Sequence, residues 1–225
     1  MARRPPDNSR LEKNLREVET LLEKKGVPPP GIQALGIVGD PIRVLLSTIL
    51  SLRTRDPVME AASLRLFSRA PDLESITLLE EEELERIIYP VGFYRTKAKT
   101  IKQIAKIVLE KWNGTLPSEI EALLSLPGVG LKTASLVLGA GFGKSIITVD
   151  VHVHRIVNRW GVVKTKDADE TYWALDKSLP EELKLQVNPI LVSFGQSICL
   201  PVSPRCTDCS LSPTQCLRIG VIHSR

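Results

Sequence analysis

The sequence predicts an all-α protein of about ten helices. Apolar residues recur at helical spacing in most segments, as Leu11, Leu15, Val18 and Leu22 do near the N-terminus. Helix-start and helix-end signals separate these segments, and no segment alternates apolar and polar residues between hairpin turns. The only β-branched run, 145–149, is too isolated to indicate a sheet.

The length, composition and net charge of the chain restrict the class of protein. The chain has 225 residues, of which 43% are hydrophobic and 25% charged, as in globular proteins. A net charge of +4 suits a polyanionic partner without identifying one. No apolar run approaches the ~20 residues of a membrane span, and residues 1–6 lack an apolar signal core. We expect an intracellular monomer, cytoplasmic or at the nucleoid (nuclear in a eukaryote), with no membrane partner.

Helix-start signals locate the predicted helices in the N-terminal half of the chain. Residues 1–9 are expected to form a disordered basic tail. Asp40-Pro41 and Asp56-Pro57 each combine a capping side chain with a proline in the first turn. The predicted helices after the first one cover residues 42–52, 56–68, 78–88 and 96–112.

The helix predicted at 96–112 is basic and amphipathic. Its apolar residues are expected to face inward and its lysines outward. The inward residues are Ile101, Ile104 and Val108, and the outward residues are Lys97, Lys99, Lys102 and Lys106.

A helix-hairpin-helix is the central motif. Leu126-Pro127-Gly128-Val129-Gly130 predicts a tight turn between two apolar helical segments. Glycine allows backbone conformations closed to other residues and a close approach by a partner. The amides of Gly128 and Gly130 are expected to point outward as a phosphate site, and Lys132 follows in the first turn of the second helix.

Two ionisable residues carry candidate chemistry. A neutral lysine amine attacks a sugar C1′ and forms a Schiff base, although Lys132 serves equally well as a phosphate contact in a non-catalytic hairpin. Asp150 lies eighteen positions later, at the start of a helix predicted at 150–160. It can cap that helix, or it can stabilise positive charge on a deoxyribose and move protons.

The C-terminal part adds two more helices and a cysteine cluster. The helices are predicted at 167–178 and 181–199, the second bent near Pro189. All four cysteines follow within a short segment: Cys199, Cys206, Cys209 and Cys216. In a reducing compartment such a cluster indicates a metal site, and its spacing fits either zinc or a [4Fe–4S] cluster.

These motifs together resemble the endonuclease III family of DNA glycosylases with AP-lyase activity. The resemblance covers roughly residues 31–216 and depends on Leu-Pro-Gly-Val-Gly-x-Lys-Thr-Ala, on Val-Asp-Val-His eighteen residues after the lysine, and on the four cysteines. It implies that Lys132 is the Schiff-base nucleophile, Asp150 the essential carboxylate and the cysteines the ligands of a [4Fe–4S] cluster. It also implies damaged double-stranded DNA as the partner.

The family fold implies a domain layout. A six-helix domain would cover 34–144, and a second domain would combine 1–33 with 145–225. In the family, DNA crosses the cleft between the two domains, and the cleft holds the lysine and the aspartate.

Two positions depart from the family pattern, and one aromatic residue matches a family wedge. The last cysteine gap has six residues where the family usually has five, and Arg53 stands where the family commonly has glutamine. As an arginine, Arg53 can favour guanine opposite the lesion, or it can be a solvated or phosphate-binding side chain. Phe93 matches a wedge that enters the base stack, or it is a core aromatic. Arg95 and Lys97 are expected to contact phosphates.

Other functions fit parts of this pattern. A monofunctional mismatch glycosylase of the same superfamily generally lacks the lysine, and oxidised-guanine glycosylases normally lack the cysteines. A non-catalytic hairpin protein with a zinc-bound tail is the alternative from another class. The identity of the metal distinguishes it from the enzyme.

Overall fold

A computed structural model describes residues 5–225 and gives them twelve α-helices and no strand. The all-α prediction is confirmed. The chain divides into two compact units, one formed by Gly31–Lys144 and the other by the chain up to Pro30 together with Ser145–Arg225. For comparison, the resemblance places the boundaries after residues 33 and 144.

The unit Gly31–Lys144 is built around α3. Its helices are α2 (Gly31–Ala34), α3 (Pro41–Ser51), α4 (Asp56–Arg69), α5 (Leu73–Leu78), α6 (Glu81–Ile88), α7 (Tyr94–Trp112), α8 (Ile120–Leu124) and α9 (Leu131–Leu136). Asp40 Oδ1 accepts from the amide of Arg43 at 2.9 Å, which fixes the start of α3. Every residue from Val44 to Leu50 is buried, and α4, α7 and α9 pack around this helix.

The predicted start of one helix in this unit is wrong. The helix predicted from 78 to 88 begins at Glu81, as α6, and Leu78 is instead the last residue of α5, which was not predicted. The backbone at Leu79 and Glu80 between the two helices is extended. A reciprocal capping box at Asp72 and Ser75 starts the earlier helix, and the side chain of Leu79 is buried. The segment 73–88 has no proline or glycine to mark the break between the two helices.

The other unit contains α1 (Asn8–Lys24), α10 (Val151–Trp160), α11 (Ala168–Asp176) and α12 (Glu181–Ser197). The predicted apolar stripe of α1 is buried, and α1 and α10 both pack on α12. Trp160 and Phe194 join α10 to α12, with ring centroids 6.1 Å apart. A short 3₁₀ turn, Cys206–Asp208, lies in the C-terminal loop.

The predicted disordered tail is shorter than expected. Asn8 and Ser9 are already helical, and Asp7 caps them through the amide of Arg10 at 3.0 Å. Residues 1–4 of this tail lie outside the described part of the chain. None of the described helices combines the length and apolar composition needed to cross a membrane.

Candidate functional site

The helix-hairpin-helix consists of α8, the turn Ser125–Gly130 and α9. Gly128 has a φ of +74°, and a Cβ there would lie 3.2 Å from Thr100 Cγ2. Gly130 is extended, and a Cβ there would meet nothing within 4 Å. No hydrogen bond among residues 5–225 uses the amide of either glycine. Both amides can therefore donate to an acceptor outside the protein.

Lys132 is the second residue of α9 and is half-buried. Thr133, Ala134 and Ser135 are buried beside it and anchor the helix in the unit. Within the described chain the Lys132 ammonium makes neither a hydrogen bond nor an ion pair. Its nitrogen is therefore not committed to holding the fold together, as a nucleophile requires.

The segment after α9 fixes this helix to α3. Residues Val137–Gly141 form a π-helical turn, which is a feature found frequently at functional sites. Ala140 accepts a hydrogen bond from the Gly39 amide at 2.8 Å. A Cβ on Gly141 would lie only 2.7 Å from Pro41 Cα, so only glycine allows this contact. The start of α3 thus holds the helix that carries Lys132.

Asp150 belongs to the other unit, where it is the N-cap of α10. Its Oδ1 accepts from the amides of His152 and Val153, both at 2.9 Å. The residue is 8% exposed. Both hydrogen bonds end on the same oxygen, so the capping role occupies Oδ1 and leaves Oδ2 for other contacts. The capping role expected from the sequence is present, and it does not exclude chemistry at Oδ2.

Two arginines on α10 bind the loop that carries the first cysteine. Arg155 Nη2 donates to Cys199 O at 2.9 Å and to Gly195 O at 3.2 Å. Arg159 donates to Leu200 O at 2.6 Å and to Pro201 O at 2.7 Å, and its Nη1 lies 3.4 Å from Cys199 Sγ. The helix capped by Asp150 is therefore fixed directly to the cysteine segment.

Neither arginine is among the candidate residues that the sequence indicates. They lie four residues apart on one helix, a spacing that puts them on the same face. Their partners are some forty residues further along the chain, and no local pattern predicts such a pairing.

The four cysteines line one common cavity. The other residues around it are Arg159, Trp160, Phe194, Ile198, Pro204, Arg205, Arg218 and Val221. No three His, Cys, Asp or Glu side chains among the described residues are arranged to hold a single metal ion. Burial raises the pKa of Cys199 and Cys216 and brings that of Cys209 to about 11, so thiolates here need a compensating positive charge. Four thiols around a shared space, with Arg159 against one of them, fit a multi-atom metal cluster.

Arg53 and Phe93 lie together in the unit Gly31–Lys144. The Arg53 guanidinium carbon is 5.5 Å from the centroid of the Phe93 ring. Phe93 is 62% exposed, so the alternative that it is a core aromatic is wrong. Both residues adopt positive φ, 52° and 59°, although neither is glycine. The two loops thus present a cation and an aromatic ring as one exposed pair.

The prediction that Lys97 faces outward is wrong. Lys97 is 6% exposed, and its ammonium donates to Leu50 O, Leu52 O and Thr54 Oγ1. These three bonds engage all its protons, so it cannot also bind a phosphate. Arg95 is exposed as expected, with a long ion pair of 3.7 Å to Glu85.

Comparison with known proteins identifies the family. Residues 46–181 match the family model of the HhH-GPD superfamily base excision DNA repair proteins. The chain is 48% identical over 172 residues to endonuclease III of Thermotoga maritima, covering 76% of this chain and 81% of that protein. It is 46% identical over 170 residues to endonuclease III-like protein 1 of Gallus gallus, covering 74% of this chain. The match spans 60% of the Gallus gallus protein.

Solved structures agree with this match. A trapped covalent intermediate of endonuclease III with DNA superimposes with a TM-score of 0.80 at 28% identity, over 91% of this chain and 93% of that one. The resemblance read from the hairpin, the lysine–aspartate interval and the cysteines is therefore confirmed. The chain belongs to the HhH-GPD superfamily of base excision DNA repair proteins and, within it, to the endonuclease III family.

Proposed function

We propose that the chain is a DNA glycosylase and AP lyase that removes oxidised pyrimidines from duplex DNA and cuts the strand 3′ to the abasic site. The observation that carries the proposal is Lys132, half-buried in a helix-hairpin-helix with no ionic partner in the described chain. The covalent DNA complex of the related endonuclease III supports it.

Each candidate residue has a role in this reaction. The duplex bends and the damaged nucleotide leaves the stack, which costs least for a base that already pairs or stacks badly. The Lys132 amine attacks C1′ and the C1′–base bond breaks, so the base leaves with the bonding electrons and takes up a proton. The C1′–O4′ ring bond then opens as the nitrogen loses a proton, which gives the Schiff base. Loss of a proton from C2′ of the resulting Schiff base then breaks the C3′–O bond. Asp150 stabilises the positive charge and assists the proton transfers.

DNA contacts come from the hairpin and from the exposed pair. The amides of Gly128 and Gly130 bind phosphate, so affinity falls steeply with salt as counterions are released. Phe93 enters the base stack at the lesion. Arg95 contacts the backbone. The enzyme acts inside the cell, where its substrate is.

Arg53 reads the base opposite the lesion in this account. Guanine offers two acceptors in the geometry of a guanidinium fork, and adenine does not. We expect faster base release opposite guanine than opposite adenine, and loss of that preference in Arg53→Ala. If base release is equally fast opposite guanine and opposite adenine, and Arg53→Ala leaves both rates unchanged, Arg53 is only a surface cation.

Cys199, Cys206, Cys209 and Cys216 bind a [4Fe–4S] cluster, which supplies a rigid, charged cross-link for the C-terminal loop. The shared cavity and the Arg159 contact to Cys199 Sγ support this assignment. The purified protein should be brown, with broad visible absorption and about four iron and four sulfide per chain, as a [4Fe–4S] cluster requires. A colourless protein with stoichiometric zinc would favour the non-catalytic alternative.

Product analysis on a thymine-glycol duplex tests the function. We expect release of the free base, together with strand cutting that leaves an unsaturated sugar on the 3′ end. Base release with an intact strand would indicate a monofunctional glycosylase. Binding with neither product, on this duplex and on an abasic one, would indicate a non-catalytic DNA-binding protein.

A further inference from the structure

The buried ammonium of Lys97 lies at the C-terminal end of α3. Nζ is 2.8 Å from Leu50 O, 2.5 Å from Leu52 O and 3.1 Å from Thr54 Oγ1. The last carbonyls of a helix have no partner within the helix, and they carry its partial negative charge. Lys97 reaches them from the first turn of α7, so it joins α7 to the loop that follows α3.

Thr54 extends the same network to a second loop. Its Oγ1 accepts from the Gly92 amide at 3.1 Å as well as from Lys97. A Cβ on Gly92 would lie 2.6 Å from Arg53 O, so the two backbones meet closely at this point. The Thr54 hydroxyl therefore binds the loop 52–55 to the loop 91–93, and the Lys97 ammonium binds the loop 52–55 to the first turn of α7, which directly follows the loop 91–93.

Each of these two loops carries a non-glycine residue in an unfavourable backbone conformation. Arg53 and Phe93 have φ values of 52° and 59°. A non-glycine residue in this region costs about 1 kcal/mol or more, and it persists only where its surroundings fix it. The side-chain hydrogen bonds of Lys97 and Thr54 hold the backbone on either side of Arg53, and one of them holds the Gly92 amide next to Phe93.

We propose that Lys97 is a positioning residue for DNA recognition. It does not touch DNA. It holds the loops 52–55 and 91–93 together so that Arg53 and Phe93 are presented as one pair. This inference depends on the proposed function, which gives that pair its contact with the base stack.

A purely structural role for Lys97 is the competing explanation, and the chain offers a matched control. Lys102 lies on the same helix, is partly buried, and donates to the carbonyl of Leu79, remote in sequence from both loops. Lys102→Met and Lys97→Met each keep an aliphatic stem and remove one ammonium. General loss of stability would affect both variants, whereas loss of loop placement would affect Lys97→Met only.

The experiment measures insertion of Phe93 separately from the chemistry. A duplex carries an uncleavable abasic analogue with 2-aminopurine beside it, and insertion of a ring raises the fluorescence by unstacking that base. We expect at least a ~5-fold smaller rise for both Phe93→Ala and Lys97→Met, with Lys102→Met near wild type. Phe93→Ala added to Lys97→Met should change the rise less than ~2-fold, because contacts that act together are not additive.

Contrary results are equally well defined. The proposal is overturned if the fluorescence rises as much with Lys97→Met as with wild type, or if Phe93→Ala reduces the rise as strongly in the Lys97→Met variant as in wild type. Either result leaves the proposed function intact. If Lys97→Met fails to fold, Thr54→Val replaces it, because it removes only the bridging hydroxyl. An unchanged rise in Thr54→Val then overturns the proposal. A wild type that neither binds nor cuts abasic DNA refutes the proposed function, and this inference with it.

Discussion

Asp150 offers a substitution that separates capping from catalysis. Asparagine is as good an N-cap as aspartate, because its side-chain oxygen accepts the same amide hydrogen bonds. Asp150→Asn therefore keeps both 2.9 Å bonds to His152 N and Val153 N and removes the negative charge. Asp150→Ala removes the bonds as well.

The expected magnitudes differ for stability and for activity. Losing the cap should lower the free energy of unfolding by about 1 kcal/mol in Asp150→Ala. Losing only the interaction of the charge with the helix dipole should lower it by about 0.5 kcal/mol in Asp150→Asn. Removal of a group that moves protons costs roughly 100-fold or more in rate, so both variants should lose strand cutting to that extent.

Urea unfolding and single-turnover cutting of an abasic duplex measure the two quantities. Asp167→Asn is the matched control, because Asp167 caps α11 through the Glu170 amide at 2.8 Å in the same unit. It should lower the free energy of unfolding by about 0.5 kcal/mol, as Asp150→Asn does, and leave the rate of cutting unchanged. Near-normal cutting by Asp150→Asn, with a loss in Asp150→Ala that follows its stability, would show that the aspartate is only a cap.

Three further predictions concern other contacts. Gly130→Ala should change the free energy of unfolding, measured in urea, by less than about 1 kcal/mol relative to wild type, because the added Cβ meets open space. It should nevertheless weaken binding to duplex DNA, measured by fluorescence anisotropy. An unchanged affinity would show that the hairpin turn does not contact DNA. Arg159→Met should lower the free energy of unfolding by about 3 kcal/mol or more, because it removes two short charged hydrogen bonds. The exposed control Arg16→Met should lower it by less than about 0.5 kcal/mol, and equal effects of the two substitutions would contradict the prediction. Burial lowers the pKa of Lys97 from 10.5 to about 8, so between pH 8 and pH 10.5 the unfolded chain binds more protons than the folded one. The free energy of unfolding of wild type, measured in urea relative to Lys97→Met, should therefore increase as the pH rises through this range. A difference that does not change with pH would contradict the lowered pKa.

Local signals predicted much of the fold because they act within a few residues. The Asp40-Pro41 pair starts α3 within one residue of the predicted position, since the cap and the proline both act in the first turn. The glycines of the hairpin likewise indicated the turn. The break at Leu79 has no such local signal, because the segment 73–88 contains neither proline nor glycine.

Lys97 shows how a general expectation can mislead. It lies four residues before Ile101, on the stripe that continues through Ala105 and Val108, and that whole stripe is buried. Lys97 was predicted to face outward together with the other lysines of the helix, as lysine usually does, although its spacing from Ile101 is equally compatible with an inward position. The deciding factor is a set of oxygens some forty-five residues earlier in the chain, which only the fold brings near the ammonium.

The central claim is that Lys132 forms a covalent bond with the sugar. Borohydride trapping on a thymine-glycol duplex tests it directly, with wild type beside Lys132→Ala and the modified peptide mapped by mass spectrometry. We predict a protein–DNA adduct on Lys132 in the wild type and none in the variant. An adduct of equal yield in Lys132→Ala, or base release by wild type with no adduct, would contradict the account.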